Sequence, residues 1–166
     1  MEPTSVTNPP AAWSRGPRIR ALSTRQAEFV LTRNHVGRVA FHDGTRVELL
    51  PVHYVYADGM VVARTSRGVK DSIWQQRPDV VFEVDESQAL FEWRSVIVRG
   101  TLRVLATTGS REQRLEHWNA VGIIRTLIRD AFTERDPTPG RQVIFTITPN
   151  EISGREASAS YLSRSS

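Results

Sequence analysis

The chain has 166 residues, a formal net charge of +4, and hydrophobic and charged contents of 39% and 24%, which are those of an ordinary soluble globular domain. It holds no cysteine, which excludes disulfides, thiolate nucleophiles and cysteine-ligated metal sites. No apolar run could span a bilayer and no signal-peptide pattern follows the first residue, so we expect a cytoplasmic protein with no membrane partner. The positive charge is concentrated in the first 25 residues and elsewhere the arginines are spread out, which predicts no nucleic-acid partner.

The first half of the chain predicts an arm, a short helix and strands joined by hairpins. Residues 1–20 are rich in Pro, Ser, Thr and Ala without apolar periodicity, which is typical of a disordered arm. Residues 23–26 have the capping-box form and predict a helix through about Asn34. Asp-Gly pairs at residues 43–44 and 58–59, each between apolar segments, predict two hairpins. The three strands that they join are residues 37–41, 47–56 and 61–65.

The second half predicts three more strands and two more helices. A short helix over residues 71–76 is stopped by the following Arg-Pro pair, and a second capping box at residues 110–113 starts a long helix to about Phe132. Its apolar positions at helical spacing are Leu115, Trp118, Ile123, Leu127 and Phe132. The strands are residues 80–85, 91–105 and 143–147, with a bulge or bend at Gly100.

Six strands with helices only at the periphery predict a mainly β fold, a small antiparallel barrel decorated by helices. We expect one domain over residues 21–156, followed by a flexible tail over residues 157–166.

The strongest functional signal is Lys70, the only lysine among 22 basic residues. In the segment that it closes, a predicted strand ends in two hydroxyls, Thr65 and Ser66, and a glycine turn follows. Hydroxyl donors, exposed amides and a rotatable ammonium group together form an anion cradle suited to a phosphate. The alternative is that the turn is merely polar and the lysine has no special role.

Familiar catalytic motifs are absent from the sequence. There is no P-loop, dinucleotide-binding glycine fingerprint, nucleophile elbow or zinc-protease pattern, and the histidines have no metal-ligand spacing. We therefore predict no metal site and no catalytic side chain. Glu83 and Asp85 share one strand face, where they would do acid–base work or be solvated acids, and Trp93 would stack on a flat ligand or pack in a core or dimer interface.

Six segments, taken in order, resemble the pyridoxamine 5′-phosphate oxidase-like superfamily of flavin-binding split barrels, especially its branch near the nitroimidazole-resistance reductases. The segments are NHVGRVAF (34–41), LPVHYVY (50–56), RTSRGVK (64–70), VFEVD (81–85), WRSVIVRG (93–100) and ITPNEISGR (147–155). The resemblance implies a six-stranded antiparallel split barrel that forms a homodimer with two flavin mononucleotide (FMN) sites at the subunit interface.

The resemblance also implies three groups of cofactor-binding residues. The phosphate group consists of Thr65, Ser66 and Lys70, with Arg64 as a further contact. The residues that run beside the isoalloxazine ring, offering backbone groups to its polar edge, are Val52, His53 and Tyr54. The residues that border the site, from this subunit or its partner, are Trp93, Arg94, Ser95 and, near the C-terminus, Arg155.

An FMN-dependent oxidoreductase is the implied function, with hydride transfer through the flavin to a small molecule and a nicotinamide cofactor as a reasonable electron donor. The chain lacks the arginine- and histidine-rich ending with which true pyridoxamine phosphate oxidases grip their substrate, so we do not expect pyridoxine 5′-phosphate as substrate. Two alternatives stay open. One is a deazaflavin-dependent reductase whose groove would use Arg38, Arg64 and Arg67, and the other is a flavin-binding carrier without turnover.

Overall fold

The computed structural model of the chain describes residues 17–68 and 70–158. Seven strands and three helices lie in these ranges. They are β1 (Arg18–Ala21), α1 (Thr24–Arg33), β2 (Val36–His42), β3 (Val47–Ala57), β4 (Met60–Thr65), α2 (Lys70–Gln76), β5 (Asp79–Ala89), β6 (Glu92–Val104), α3 (Arg111–Leu127) and β7 (Val143–Ser158). Within these ranges, no helix is long and apolar enough to cross a bilayer.

Six of the seven strands close into an antiparallel barrel. The order in the sheet is β1-β7-β4-β3-β2-β5-β6, and the additional pairing of β6 with β7 completes the ring. The predicted mainly β fold, a six-stranded antiparallel split barrel with peripheral helices, is therefore confirmed. The strand β1 is an addition to it, because it pairs only with the far end of β7, from Arg18 opposite Ser158 to Ala21 opposite Arg155.

Local chemistry explains most of the element boundaries. Both capping boxes form as predicted: the Ser23 and Ser110 hydroxyls each accept a hydrogen bond from the main-chain N–H three residues later. The β3–β4 hairpin turns through Asp58 and Gly59, both at positive φ. The bulge predicted at Gly100 is present, because the β6–β7 register shifts there. A Cβ at this position would lie 2.4 Å from the Thr148 carbonyl oxygen, so only glycine fits.

Two apolar layers hold the barrel and its helices together. The interior of the barrel is filled from all six barrel strands, from α1 and from α2. Trp74 of α2 is fully buried there, with its ring 5.5 Å from that of Phe41 and 5.0 Å from that of Phe145. This anchor holds α2 against the barrel, and α2 begins where the candidate cradle lies. A second layer packs α3 against the outer face of β4 and β7.

The long helix differs from its prediction in length and in its buried face. It ends at Leu127 and does not reach Phe132, which adopts a positive φ in the loop that follows. The buried positions are Ala120, Val121 and Ile124, whereas Leu115 and Trp118 are exposed. Only the C-terminal half of α3 therefore lies against the sheet, and spacing alone could not show where the supporting surface ends.

The domain boundaries also need correction at both ends. The arm predicted over residues 1–20 includes residues that form β1, and the tail predicted to begin at residue 157 includes the end of β7. Arg20 of β1 is held by Glu156 of β7, with Nε 2.5 Å from Oε1. These pairings join residues far apart in the chain, which composition does not reveal. The rest of the predicted arm and tail lies outside the described residues.

Candidate functional site

Three polar side chains meet where β4 ends and α2 begins. Thr65 is the last residue of β4, residues 66–68 form an exposed turn, and Lys70 is the first residue of α2. The Asp71 N–H closes the turn by donating to the Gly68 carbonyl at 3.1 Å. A Cβ at Gly68 would lie 3.5 Å from Lys70 Nζ, so the ammonium group is folded back over the turn. The Lys70 ammonium group therefore lies next to the turn that follows Thr65 and Ser66.

These polar groups have no protein partner in the part of the chain that the structure describes. There, the Thr65 and Ser66 hydroxyls make no hydrogen bond, and the Lys70 ammonium makes neither a hydrogen bond nor an ion pair. Thr65 as a residue is 6% exposed, and its hydroxyl oxygen keeps contact with solvent. An anion that accepts from two hydroxyls and an ammonium group fits this set of donors, which we call the cradle (Thr65, Ser66 and Lys70).

Arg64, predicted as a further phosphate contact, does not belong to the cradle. Strand alternation turns its side chain away from that of Thr65 and onto the loop between α3 and β7. Its guanidinium is 2% exposed and binds Asp136 through two hydrogen bonds, of 2.6 and 2.8 Å, and Thr138 through a third, of 2.7 Å. The ring of Phe132 lies 5.0 Å from the guanidinium carbon. Arg64 is thus paired inside the protein through both terminal nitrogens, whereas its buried Nε has no hydrogen-bond partner among the described residues.

The strand β3 offers an open main-chain edge next to the cradle. Its residues 47–53 pair with β2, but only residues 54–57 pair with β4, and the ladder to β4 stops at the Tyr54–Ala63 pair. Among the described strands, the edge of residues 47–53 that faces away from β2 has no partner. Main-chain N–H and C=O groups on that edge are available to a ligand.

The three residues predicted beside the ring differ in what they can offer. Val52 and Tyr54 point into the barrel, where the Tyr54 hydroxyl donates to the Leu31 carbonyl at 2.7 Å and burial raises the pKa of the phenol. Their side chains are therefore not available to a ligand on the open edge, and the Tyr54 N–H donates to the His35 carbonyl at 3.0 Å. His53 is exposed, and its Nδ1 lies 3.4 Å from Nη1 of Arg141.

A second cluster lies elsewhere on the barrel. Ser95 pairs in register with Asp85 on one side and with Arg155 on the other, so these side chains share a face. Trp93 lies on the same face of β6, two residues earlier. Because β7 separates β6 from β4, one subunit does not bring this cluster to the cradle.

Arg94 lies on the opposite face of β6 from Trp93 and Ser95. Its Nε lies 2.9 Å from Oε2 of Glu156, and its Nη1 lies 4.0 Å from Oε2 of Glu86. A cavity of about 290 Å³ near this network is lined by Trp93, Arg94 and both glutamates, among others. Arg94 thus forms an ion pair with Glu156 within this subunit, although its own side chain is 43% exposed.

The carboxylate pair of β5 is a salt-bridge site. Arg38 Nη1 lies 3.0 Å from Glu83 and 2.6 Å from Asp85, and the Ser95 hydroxyl donates to Glu83 at 3.4 Å. This arrangement ties both carboxylates to Arg38 at the surface, which favours a salt-bridge role over acid–base chemistry. No group of His, Asp and Glu within the described ranges could hold a metal ion.

Sequence reasoning missed the loop residues Asp136 and Arg141. Their segment is rich in proline and glycine, a composition that indicates a loop but no particular contact. Asp136 binds Arg64 across 72 positions, and Arg141 reaches His53 across 88. No local pattern announces a contact at such separations.

Comparison with known proteins places this fold in a family. The model of the pyridoxamine 5′-phosphate oxidase family matches residues 23–156, from the N-cap of α1 to the C-terminal part of β7. The chain belongs to this family. The match covers the whole barrel, including the cradle and the open edge of β3, and it confirms the resemblance found in the sequence.

Relatives of the family share most of their length with this chain. The solved structure of a FAD-binding protein (mll6688) from Mesorhizobium loti is 30% identical, with a TM-score of 0.68 over 84% of this chain and 99% of that one. A Bacteroides thetaiotaomicron protein named for 5-nitroimidazole antibiotic resistance is 14% identical, with a TM-score of 0.64 over 84% and 88%. The uncharacterized protein RA0666 of Rhizobium meliloti is 22% identical over 140 residues, 84% of this chain and 85% of that one.

Proposed function

We propose that the protein is an FMN-dependent oxidoreductase whose cradle holds the flavin phosphate. The observation that carries this proposal is the set of donors at the end of β4: two hydroxyls and the single lysine, without partners among the described residues. A phosphate dianion accepts charge-assisted hydrogen bonds from this set. When bound, the flavin supplies the hydride chemistry, and the protein binds it, orients it and excludes water.

The open edge of β3 suits the flavin ring. The main-chain groups of residues 47–53 that point away from β2, among them those of His53, would offer donors and acceptors to the ring's polar edge. The Tyr54 N–H donates to the His35 carbonyl, and by strand alternation the main-chain groups of Val52 also face β2. The Mesorhizobium loti relative is named a FAD-binding protein, which supports a flavin in this chain as well. The cradle itself requires only one phosphate, so FMN is its simplest ligand.

A homodimer would complete the site. Val47 and Leu49, which lie two residues apart on the outer face of β3, are 69% and 61% exposed, and a second copy would cover these apolar side chains. The cluster of Trp93, Ser95 and Arg155 on another part of the barrel would then border the flavin held by the other subunit. Light scattering is expected to give twice the chain mass of 18.7 kDa, and a monomer that retains flavin would contradict the shared site.

The deazaflavin alternative is less well supported. Two of the three arginines that would line its more basic groove are engaged with carboxylates: Arg38 with Glu83 and Asp85, and Arg64 with Asp136. Arg67 is exposed and has no carboxylate partner among the described residues, and Arg38 is exposed but paired. These three arginines therefore offer little unpaired positive charge, beyond that of the cradle, to a longer anionic tail.

Two measurements test the cofactor and the reaction. The purified protein, reconstituted if necessary with FMN, FAD or a deazaflavin, is expected to show a flavin absorption spectrum, and mass spectrometry of the released ligand identifies it. Anaerobic addition of a nicotinamide donor is expected to bleach that spectrum. Flavin binding without bleaching by NADH or NADPH would favour the carrier, and binding of the deazaflavin alone would contradict FMN.

A complementation experiment tests the shared site. The homodimers Lys70→Ala and Ser95→Trp each carry one defect in every site, so neither is expected to bind FMN at a low concentration. A heterodimer purified with two affinity tags has one site with both defects and one with none. We expect one FMN per heterodimer. Failure to recover any binding, with both variants folded, would show that the two clusters do not meet.

A further inference from the structure

The loop between α3 and β7 places an arginine against the open edge of β3. Arg141 Nη1 lies 3.4 Å from Nδ1 of the exposed His53. Arg141 lies two residues before Val143, the first residue of β7. Val143 pairs with Thr65 of the cradle. Arg141 therefore contacts the strand edge proposed for the flavin ring, and it is close in the chain to the residue that pairs with Thr65.

The charge of Arg141 is not neutralised by a neighbour. Within the described ranges, no carboxylate oxygen lies within the 4.0 Å that defines an ion pair. By contrast, the nearby Arg64 and the β2 residue Arg38 are both paired with acids. A positive charge at the mouth of a ligand site, without a compensating acid, favours an anionic ligand.

A buried ion pair holds this loop in position. Asp136 accepts two hydrogen bonds from Arg64, one from the Phe132 N–H at 2.7 Å and one from the Thr138 N–H at 2.8 Å. Arg64 also lies 3.5 Å from the Arg141 carbonyl, and the Arg141 N–H donates to the Thr138 carbonyl at 3.0 Å. The main chain of Arg141 is thus tied to β4 through groups that are almost completely buried.

We propose that Arg141 contacts the polar edge of the bound flavin and binds its reduced, more electron-rich form in preference to its oxidised form. The Arg64–Asp136 pair is a positioning pair that holds Arg141 there. This inference rests on the proposed function. Reduction adds electron density to the ring, so a cation fixed beside its polar edge stabilises the reduced form more than the oxidised form. By linkage, preferential binding of the reduced form raises the reduction potential of the bound flavin.

The test compares Arg141→Gln, Arg141→Lys and Asp136→Asn with the wild type. Fluorescence quenching measures the affinity for oxidised FMN, and equilibration with a redox dye measures the potential of the bound flavin. We expect Arg141→Gln to bind oxidised FMN nearly as the wild type does, but to lose about tenfold in preference for the reduced form. For a two-electron couple, a tenfold change lowers the potential by about 30 mV. Arg141→Lys is expected to restore part of the shift, because it keeps the charge.

Asp136→Asn is expected to shift the potential in the same direction, because it releases the loop that carries Arg141. Arg135→Gln is the matched control: it removes an exposed arginine from the same loop and is expected to leave the potential unchanged. An unchanged potential in a flavin-loaded Arg141→Gln protein would overturn the inference while leaving the proposed function intact. Equal losses for oxidised and reduced FMN would also overturn it. If the wild type binds no flavin, the proposed function fails, and this inference fails with it.

Discussion

The buried pair of Arg64 and Asp136 makes a large and specific stability prediction. Asp136→Ala removes a carboxylate that is 1% exposed and leaves the Arg64 guanidinium, itself 2% exposed, without its counter-ion. The variant also loses the two main-chain hydrogen bonds at Phe132 and Thr138 that order the loop. Breaking a buried ion pair by removing one partner costs about 3–5 kcal/mol, because the remaining charge stays desolvated. We expect the free energy of unfolding to fall by that amount.

Urea denaturation near neutral pH measures this loss, with Glu116→Ala as the matched control. Glu116 is paired with Arg103 on the surface, where the side chains are 39% and 57% exposed, and such pairs contribute about 0–1 kcal/mol. The double variant Arg64→Met, Asp136→Leu is expected to recover most of the stability, since apolar residues of similar volume often replace buried pairs without loss. A loss for Asp136→Ala as small as that for Glu116→Ala would refute the assignment of a buried, structural pair.

Three further predictions concern the fold. Gly100→Ala is expected to cost about 1–3 kcal/mol, because its Cβ would lie 2.4 Å from the Thr148 carbonyl; an unchanged melting temperature would contradict this. Deleting β1 and the residues before it is expected to speed amide hydrogen exchange in the last four residues of β7, and unchanged protection there would count against the pairing. Hydrogen bonds from Arg33 and Arg94 lower the pKa values of Glu86 and Glu156, respectively, below the ordinary range. The stabilisation of the folded state by these two carboxylates is therefore complete above their unfolded-state pKa values and is lost as the pH falls through their folded-state pKa values. Melting temperatures are therefore expected to fall between about pH 5 and pH 3, and a flat profile would argue against these pairs.

The fold was predictable wherever the determining chemistry is local. The capping boxes at Ser23 and Ser110, the Asp58-Gly59 turn and the bulge at Gly100 each depend on a few adjacent residues. The strand β1 was not predictable in this way, because its four residues are all exposed and are ordered only by pairing with β7. The exposed half of α3 was missed for the same reason: periodicity identifies an apolar face but not the surface that covers it.

The candidate site divides along the same line. The cradle consists of residues that are close in the chain, so the sequence alone was enough to predict Thr65, Ser66 and Lys70 as one group. Arg64 belongs to the same segment, yet its role is decided by Asp136, which lies 72 positions away. Arg141 has no motif of its own, and only the folded loop brings it to His53. The proposed joining of the cradle with Ser95 depends on a second subunit, which lies beyond what one folded chain contains.

The most direct test of the central claim is a titration of the apoprotein with FMN and with riboflavin, which lacks the phosphate. Lys70→Ala removes a charge-assisted hydrogen bond worth about 1.5–3 kcal/mol, so we expect FMN affinity to fall about 10- to 150-fold. Thr65→Ala is expected to cost about 0.5–1.5 kcal/mol, because the lost donor is neutral. Arg77→Ala, which removes an exposed cation just after α2, serves as the control and is expected to change little. We expect riboflavin to bind weakly and its affinity to be nearly unchanged by Lys70→Ala. An equal loss of affinity for riboflavin and FMN, or no loss for FMN, would contradict the binding of the flavin phosphate by Lys70.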